Sequence, residues 1–282
     1  MGALDPLSTL TTWLEADPQQ RVAVGRALAN VSGFPEVDPV GRHAFRALRH
    51  PTGLHLVAVP GGIYWCGLTD ADLYALFTHL DGTDEGRWDE IRAEVERATP
   101  QVARVAPFLC AAEQWGDGGP AGFQDEPWNH RFENIDAVLA EHSARLLDAA
   151  EWEWIAREGG KTPWVGVSPD SLPIAPRRIP RLGWGEPNGF GVGNLLISEV
   201  GELVHAGDGR ALRGGHGTWQ DDLEAIALLS GYDWPLNDER AVPFRLAFSV
   251  GMPAPEGEPP AITVPDDAVG RAVARFRDGA TC

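Results

Sequence analysis

The sequence predicts an α+β fold with few regular elements and many loops. Apolar residues recur every three to four positions in the N-terminal part and again over residues 145–157, which is the period of a helix. Residues 55–67 are rich in β-branched and aromatic side chains, which indicates strands. Beyond residue 161, proline and glycine are so frequent that only short elements are expected.

The N-terminal part is predicted to be a helical segment over residues 1–52, with the main domain over residues 53–282. Helical spacing occurs in residues 7–14 and 21–28, and Gly33-Phe34-Pro35 interrupts it. The main domain opens with a predicted hairpin over residues 55–67, turning at Pro60-Gly61-Gly62.

A helical insertion is predicted at about residues 69–98. Thr69 and Asp70 can cap a helix that runs to residue 80, and residues 85–98 place apolar side chains on one helical face. A strand over 105–110 and a short helix over 135–142 follow. The clearest helix covers residues 145–157 and ends at Gly159-Gly160, where a helix C-terminus favours glycine.

The charge balance excludes some classes of partner. Lys and Arg number 23 against 41 Asp and Glu, a net charge of −18, which repels phosphate backbones and anionic lipid. No apolar run approaches the roughly 18 residues of a membrane span, and the first residues lack a basic signal-peptide region. Cys66, Cys110 and Cys282 have no disulfide or zinc spacing. We therefore expect a cytoplasmic protein without nucleic-acid or membrane partners, in which Cys66 and Cys110 are buried and inert.

Several strings occur in an order that is typical of one enzyme family. They are Val59-Pro60-Gly61-Gly62-Ile63-Tyr64-Trp65-Cys66-Gly67, Arg145-Leu146-Leu147-Asp148-Ala149-Ala150-Glu151-Trp152-Glu153-Trp154, Pro163-Trp164, Pro187-Asn188-Gly189-Phe190-Gly191, Leu212-Arg213-Gly214-Gly215 and Pro243-Phe244-Arg245. Over about residues 53–250 the chain thus resembles the formylglycine-generating enzymes, also called sulfatase-modifying factors. The resemblance implies an irregular α+β variant of the C-type-lectin architecture. The charges on helix 145–157 are expected to anchor surrounding loops.

The resemblance breaks where that family carries its chemistry. The family's two copper-binding cysteines lie between the Arg-Gly-Gly and Phe-Arg strings, and residues 214–244 contain no cysteine. A thiolate is the soft ligand that Cu(I) prefers, so neither copper nor formylglycine generation is expected. The family also often binds calcium in a loop whose counterpart here is residues 198–203. Glu199 and Glu202 could hold calcium there, or lie on a solvated loop, or accept hydrogen bonds from Arg210 or Arg213.

The resemblance also places a candidate ligand groove between residues 213–219 and Arg245. His216 could titrate near neutral pH, Trp219 could stack on a ligand, and Arg213 or Arg245 could pair with a carboxylate. The structural alternative is that both arginines serve the fold and the tryptophan lies in the core.

Three functions remain open from the sequence. The leading hypothesis is a non-catalytic module that binds a peptide or protein partner. The second is a metal-dependent oxidoreductase whose site is re-equipped with groups drawn from His205, His216, Glu202, Asp221 and Asp222. The third is calcium-dependent carbohydrate binding through Glu186-Pro187-Asn188, against which stands the family's own Pro-Asn at this place.

Overall fold

The computed structural model describes residues 2–79, 98–116, 135–161, 188–193, 202–207, 209–213 and 243–278, with residues 92, 95, 96, 119 and 120. The helices are α1 (Leu10–Glu15), α2 (Pro18–Ser32), α3 (Asp70–His79), α4 (Ile135–Glu141), α5 (Ala149–Ala156) and α6 (Ala268–Arg277). The strands are β1 (Glu36–Val40), β2 (Phe45–Arg49), β3 (His55–Val59), β4 (Gly62–Cys66), β5 (Gln101–Val105), β6 (Phe108–Ala111), β7 (Trp115–Gly116), β8 (Gly119–Pro120), β9 (Glu202–Ala206), β10 (Gly209–Arg213) and β11 (Ala247–Ser249). The predicted α+β class is confirmed.

The central sheet has the strand order β1-β2-β3-β6-β11, and every pairing in it is antiparallel. β4 pairs with β5 and β9 pairs with β10, each as a two-stranded sheet. Helix α5 contacts both of these small sheets. The short helix therefore fixes where β4–β5 and β9–β10 lie in the core.

The prediction of helices through residue 50 is wrong for residues 36–49. Helices end at Ser32, where Gly33 takes a left-handed C-cap conformation with φ 75°. The next segment forms β1 and β2, and β2 pairs with β3 across the predicted boundary at residue 52. Phe45, Ala47 and Leu48 are fully buried in this sheet. The spacing of apolar residues over 36–49 does not decide between helix and strand, so burial in the sheet determines the conformation of this segment.

The predicted hairpin over residues 55–67 does not form. β3 and β4 are both present, but β3 pairs with β2 and β6 whereas β4 pairs with β5. The N-terminal segment occupies the turn between them. The Gly61 amide donates to the Leu7 carbonyl over 3.0 Å, and the Gly61 carbonyl accepts from the Leu10 amide over 2.9 Å. These bonds turn β4 away from β3.

Three helices predicted after the hairpin, over residues 69–80, 135–142 and 145–157, are present with shifted ends as α3, α4 and α5. Asp72 accepts hydrogen bonds from the Thr69 amide and hydroxyl, both over 2.8 Å, and so closes the N-terminus of α3. The second helix of the predicted insertion, over 85–98, lies largely outside the described residues. α5 begins four residues after Arg145, because Arg145 and Ala247 first exchange two backbone hydrogen bonds of 2.9 Å.

The described helices offer no candidate for a membrane span, since none is both long and apolar enough.

Candidate functional site

The residues of the predicted groove fall into two groups. Arg213 ends β10 and Arg245 precedes β11, so both belong to the described part of the chain. His216, Trp219, Asp221, Asp222 and Glu199 lie outside the described residues.

Arg245 is an internal anchor of the fold. Its side chain is 0% exposed, and its Nη1 donates to the carbonyls of Ala111 and Ala112 over 3.2 and 2.8 Å. Its Nη2 donates to the carbonyl of Gly193. Its Nε donates to Oε2 of Glu202 over 3.0 Å. The guanidinium thus joins three chain segments at once, and its geometry favours the structural alternative over contact with a ligand.

Glu202 is the counter-charge of this arginine. Its side chain is 1% exposed, and its Oε2 also accepts from the Gln114 side-chain amide over 2.9 Å. Its Oε1 lies 3.0 Å from Arg245 Nε but has no hydrogen bond of good geometry to a described residue. Arg210 pairs with Asp136 and Arg213 is directed toward Glu153, so neither of them is the partner of Glu202. Because Glu199, the other residue of the predicted calcium site, lies outside the described residues, calcium binding stays a prediction.

Asn188 likewise serves the chain itself. Its side-chain amide donates to the Ile155 carbonyl over 2.9 Å, and its Oδ1 accepts from the amides of Phe190 and Val192 over 3.0 and 3.2 Å. The residue is buried. This is the loop chemistry of an asparagine that organises a turn, and both hydrogen bonds to Oδ1 come from the chain itself. Glu186 and Pro187, the other residues of the predicted carbohydrate site, lie outside the described residues.

A second buried cluster lies at the C-terminal end of β4. The carboxylate of Glu153, on α5, accepts from the Gly67 amide over 2.7 Å and from Arg157 Nη1 over 3.0 Å. Arg157 Nη2 donates to Asp72 over 2.7 Å. Arg213 Nη1 lies 4.0 Å from Glu153 and is thus directed toward this cluster. The two carboxylates and two guanidinium groups compensate each other's charge inside the protein.

The Cys66 thiol belongs to the same cluster and is not activated. Its sulfur donates to Glu153 Oε2 over 3.0 Å. Burial, and next the charge of Glu153, raise the pKa of Cys66 to about 12. Burial raises the pKa of Cys110 to about 12 as well. A thiol nucleophile needs a lowered pKa, so both residues fit the predicted inert role. Cys110 is buried as predicted, whereas the residue Cys66 is partly exposed.

Sequence reasoning missed the part that Glu153 plays. The available signal was its position between Trp152 and Trp154, because a carboxylate flanked by large apolar residues on a short helix is expected to be buried and paired. All residues from Glu151 to Ala156 are buried, so the helix has no solvent face there.

The exposed polar groups of β9–β10 form a separate surface, which we call the hairpin surface. His205 Nδ1 lies 3.2 Å from Asp148 Oδ1, and both side chains are more than half exposed. Arg210 is the cross-strand neighbour of His205 and forms an ion pair with Asp136. Because side chains alternate along a strand, Glu202 and His205 lie on opposite faces of β9. The structure therefore does not bring these two groups of the proposed oxidoreductase site together.

Among the described residues, no group of three or more His, Cys, Asp and Glu side chains is arranged so that it could hold a metal ion.

Comparison with models of known protein families found no match, and comparison with curated proteins found none either. Among solved structures the chain is similar to PvdO from Pseudomonas aeruginosa, with 16% sequence identity and a TM-score of 0.43. The alignment covers 72% of this chain and 98% of that one.

Proposed function

We propose that the protein is a non-catalytic recognition module on a formylglycine-generating-enzyme-like variant of the C-type-lectin architecture, and that it binds a peptide or protein partner through the hairpin surface. One observation carries the proposal. The buried charges around α5 and Arg245 are paired with each other, whereas His205 and Asp148 are more than half exposed and Asp136, the partner of the partly exposed Arg210, is 71% exposed, so a partner's polar and charged groups can reach them.

Exposed ion pairs suit this role because they contribute little to folding. Such pairs are typically worth about 0–1 kcal/mol, so replacing one by an intermolecular pair costs the protein little. Opposite charges on one surface also favour a partner with matched charges and reject others.

The missing chemistry supports the same conclusion from the sequence. Residues 214–244 supply no thiolate for Cu(I). The thiols of Cys66 and Cys110 are held in their protonated form by burial.

The test is selection of binding peptides from a displayed library on the purified protein. Peptides selected on the wild type should lose about tenfold in affinity on the variant His205→Ala/Arg210→Ala, as expected when two polar side chains lose their contacts with the partner. Arg271→Ala is the matched control, since Arg271 forms an exposed ion pair with Asp266 on another surface. Equal binding to wild type and double variant would reject the hairpin surface.

The non-catalytic part has a separate test. The protein is incubated with Cu(I), dioxygen and a cysteine-containing peptide, and the peptide is analysed by mass spectrometry. We expect unchanged cysteine, and formation of formylglycine would overturn the proposal.

A further inference from the structure

The segment between β11 and α6 crosses the molecule without regular structure. We call residues 250–267 the strap. Its N-terminal end follows β11 in the central sheet. Its C-terminal end is fixed where Asp267 accepts a hydrogen bond of 2.7 Å from the Tyr74 hydroxyl and caps α6. The strap contains Pro253, Pro255, Pro259, Pro260 and Pro265.

The strap lies on the outer face of β4–β5. Ile63 and Trp65 alternate with buried Tyr64 along β4, so they point to the opposite side from the core. Their cross-strand partners on β5 are Arg104 and Val102. These four side chains form one face, and Val102 remains 40% exposed on it.

Two side chains of this face hold the strap by its backbone. Trp65 Nε1 donates to the Pro260 carbonyl over 2.9 Å. Arg104 Nη2 donates to the Gly257 carbonyl over 2.9 Å. Pro-rich segments favour an extended conformation whose carbonyls are unpaired, and aromatic-lined grooves recognise such segments through this feature. Trp65 and Arg104 recognise the strap in the same way, because each donates a hydrogen bond to one of its backbone carbonyls.

The hold on the strap is light. No backbone hydrogen bond joins residues 250–266 to another described residue. Residues 256–258 and 260–263 are exposed. Val250 and Met252, at the start of the strap, pack on the core, but an extended segment with the same chemistry could replace residues 256–263 without disturbing it.

We propose that the outer face of β4–β5 is a binding site for an extended, proline-containing, acidic segment of a partner protein, which the strap fills in the free protein. The acidic character follows from Glu256 and Glu258, which flank the carbonyl that Arg104 holds. This site is separate from the hairpin surface, so either can fail alone. Because both strap ends are anchored, the strap competes at a high effective concentration, and a partner binds well only when the strap is weakened.

The experiment weakens the strap without touching the face. Gly257 has φ 129°, a conformation that other residues adopt at a cost, and an added Cβ would meet Ile63 at an ordinary 3.5 Å. Gly257→Val should therefore destabilise the docked strap alone. The probe is a fluorescent synthetic peptide with the sequence of residues 252–264. We expect it to bind Gly257→Val about tenfold more tightly than the wild type, from the cost of the strained backbone.

The matched control is Gly207→Val, which introduces similar strain at φ 54°, in open space in the β9–β10 turn. It should leave peptide affinity at the wild-type value. Pro260→Gly is a second strap variant, which loosens the exposed strap by increasing its freedom when undocked. Pro260→Gly should also raise the affinity for the peptide, and it replaces Gly257→Val in the test if that variant folds poorly.

The contacts are tested in the Gly257→Val background. Trp65→Phe keeps an aromatic ring but loses the indole N–H, so affinity should fall about fivefold, the typical value of one hydrogen bond. A peptide with alanine at each proline should bind more weakly too. Equal affinity of wild type and Gly257→Val, or no effect of Trp65→Phe, rejects the site. A dimer of Gly257→Val in light scattering that Trp65→Phe abolishes would show that the occupant is the strap of a second copy, and would overturn the partner proposal.

Discussion

Arg245 and Glu202 depend on each other at the scale of single residues, because each is almost fully shielded from water. Replacing Arg245 by Met leaves the Glu202 carboxylate buried without its counter-charge, which should lower the free energy of unfolding by about 3–5 kcal/mol. Urea denaturation followed by circular dichroism measures this change. The double variant Arg245→Met/Glu202→Gln should recover part of the loss, since no charge then remains unpaired. A loss below that of exposed Arg271→Ala would contradict the structural role.

Cys66 supplies a second prediction at this scale. With a pKa of about 12, its thiolate fraction at pH 8 is on the order of 10⁻⁴, so alkylation by iodoacetamide should be far slower than for an ordinary thiol. Peptide mapping by mass spectrometry after timed alkylation gives the rate. Unfolding in guanidinium chloride is the control and should restore fast labelling. Fast labelling of the folded protein would show that burial and Glu153 do not protect the sulfur.

Individual ion pairs were only partly predictable from the sequence. The charges of helix 145–157 were expected to anchor surrounding loops, and Arg157 does so by donating to the carbonyls of Trp65 and Gly67. Arg145 and Glu151 instead pair with each other, with distances of 2.6 and 2.7 Å. The partner of Glu202 was not predictable, because Arg245 lies 43 positions away and only the sheet topology brings them together. Local charge patterns identify pairs within a turn or helix, and tertiary pairs need the fold.

Helices form where the sequence predicts them when the sequence pattern that predicts them lies within the helix itself. α3 and α4 depend on caps and periodicity within ten residues or so, and both predictions hold. The pairing of β3 and β4 was mispredicted, since Pro60-Gly61-Gly62 suits a hairpin turn but Leu7 and Leu10 compete for the backbone of Gly61. Strand pairing depends on distant segments, and turn residues alone do not decide it.

Gly62 sets how closely β4 approaches α5. An added Cβ would lie 2.1 Å from Trp154 Cη2, and the indole is fixed by its own hydrogen bond to the Pro60 carbonyl over 3.0 Å. Gly62→Ala should therefore cost about 1–3 kcal/mol of stability through overpacking. Thermal unfolding compares it with Gly209→Ala, where no atom lies within 4 Å of the added carbon. Equal melting temperatures would mean that α5 adjusts freely.

At the scale of the whole molecule, helix α6 packs on α3 of the predicted insertion rather than on the central sheet. α6 packs on α3, with Phe276 edge-on to Phe77 at 5.5 Å and Arg277 donating to Asp70 and to the Leu68 carbonyl. This arrangement suggests a local unfolding unit, since few contacts of α6 reach the sheet.

The variant Phe276→Ala tests whether α6 unfolds separately from the central sheet, and whether its unfolding releases the strap. Removing a buried phenylalanine typically costs about 3–5 kcal/mol, and the loss should fall on α6 first because its packing depends on this side chain. Hydrogen exchange should show the α6 amides unprotected while those of β3 and β6 keep their protection. Val31→Ala, at a side chain 70% exposed, is the control and should change neither. With its C-terminal anchor released, the strap competes less effectively, so the variant should also bind the strap peptide more tightly than the wild type does. Uniform loss of protection in helix and sheet would instead show that the molecule unfolds as one unit.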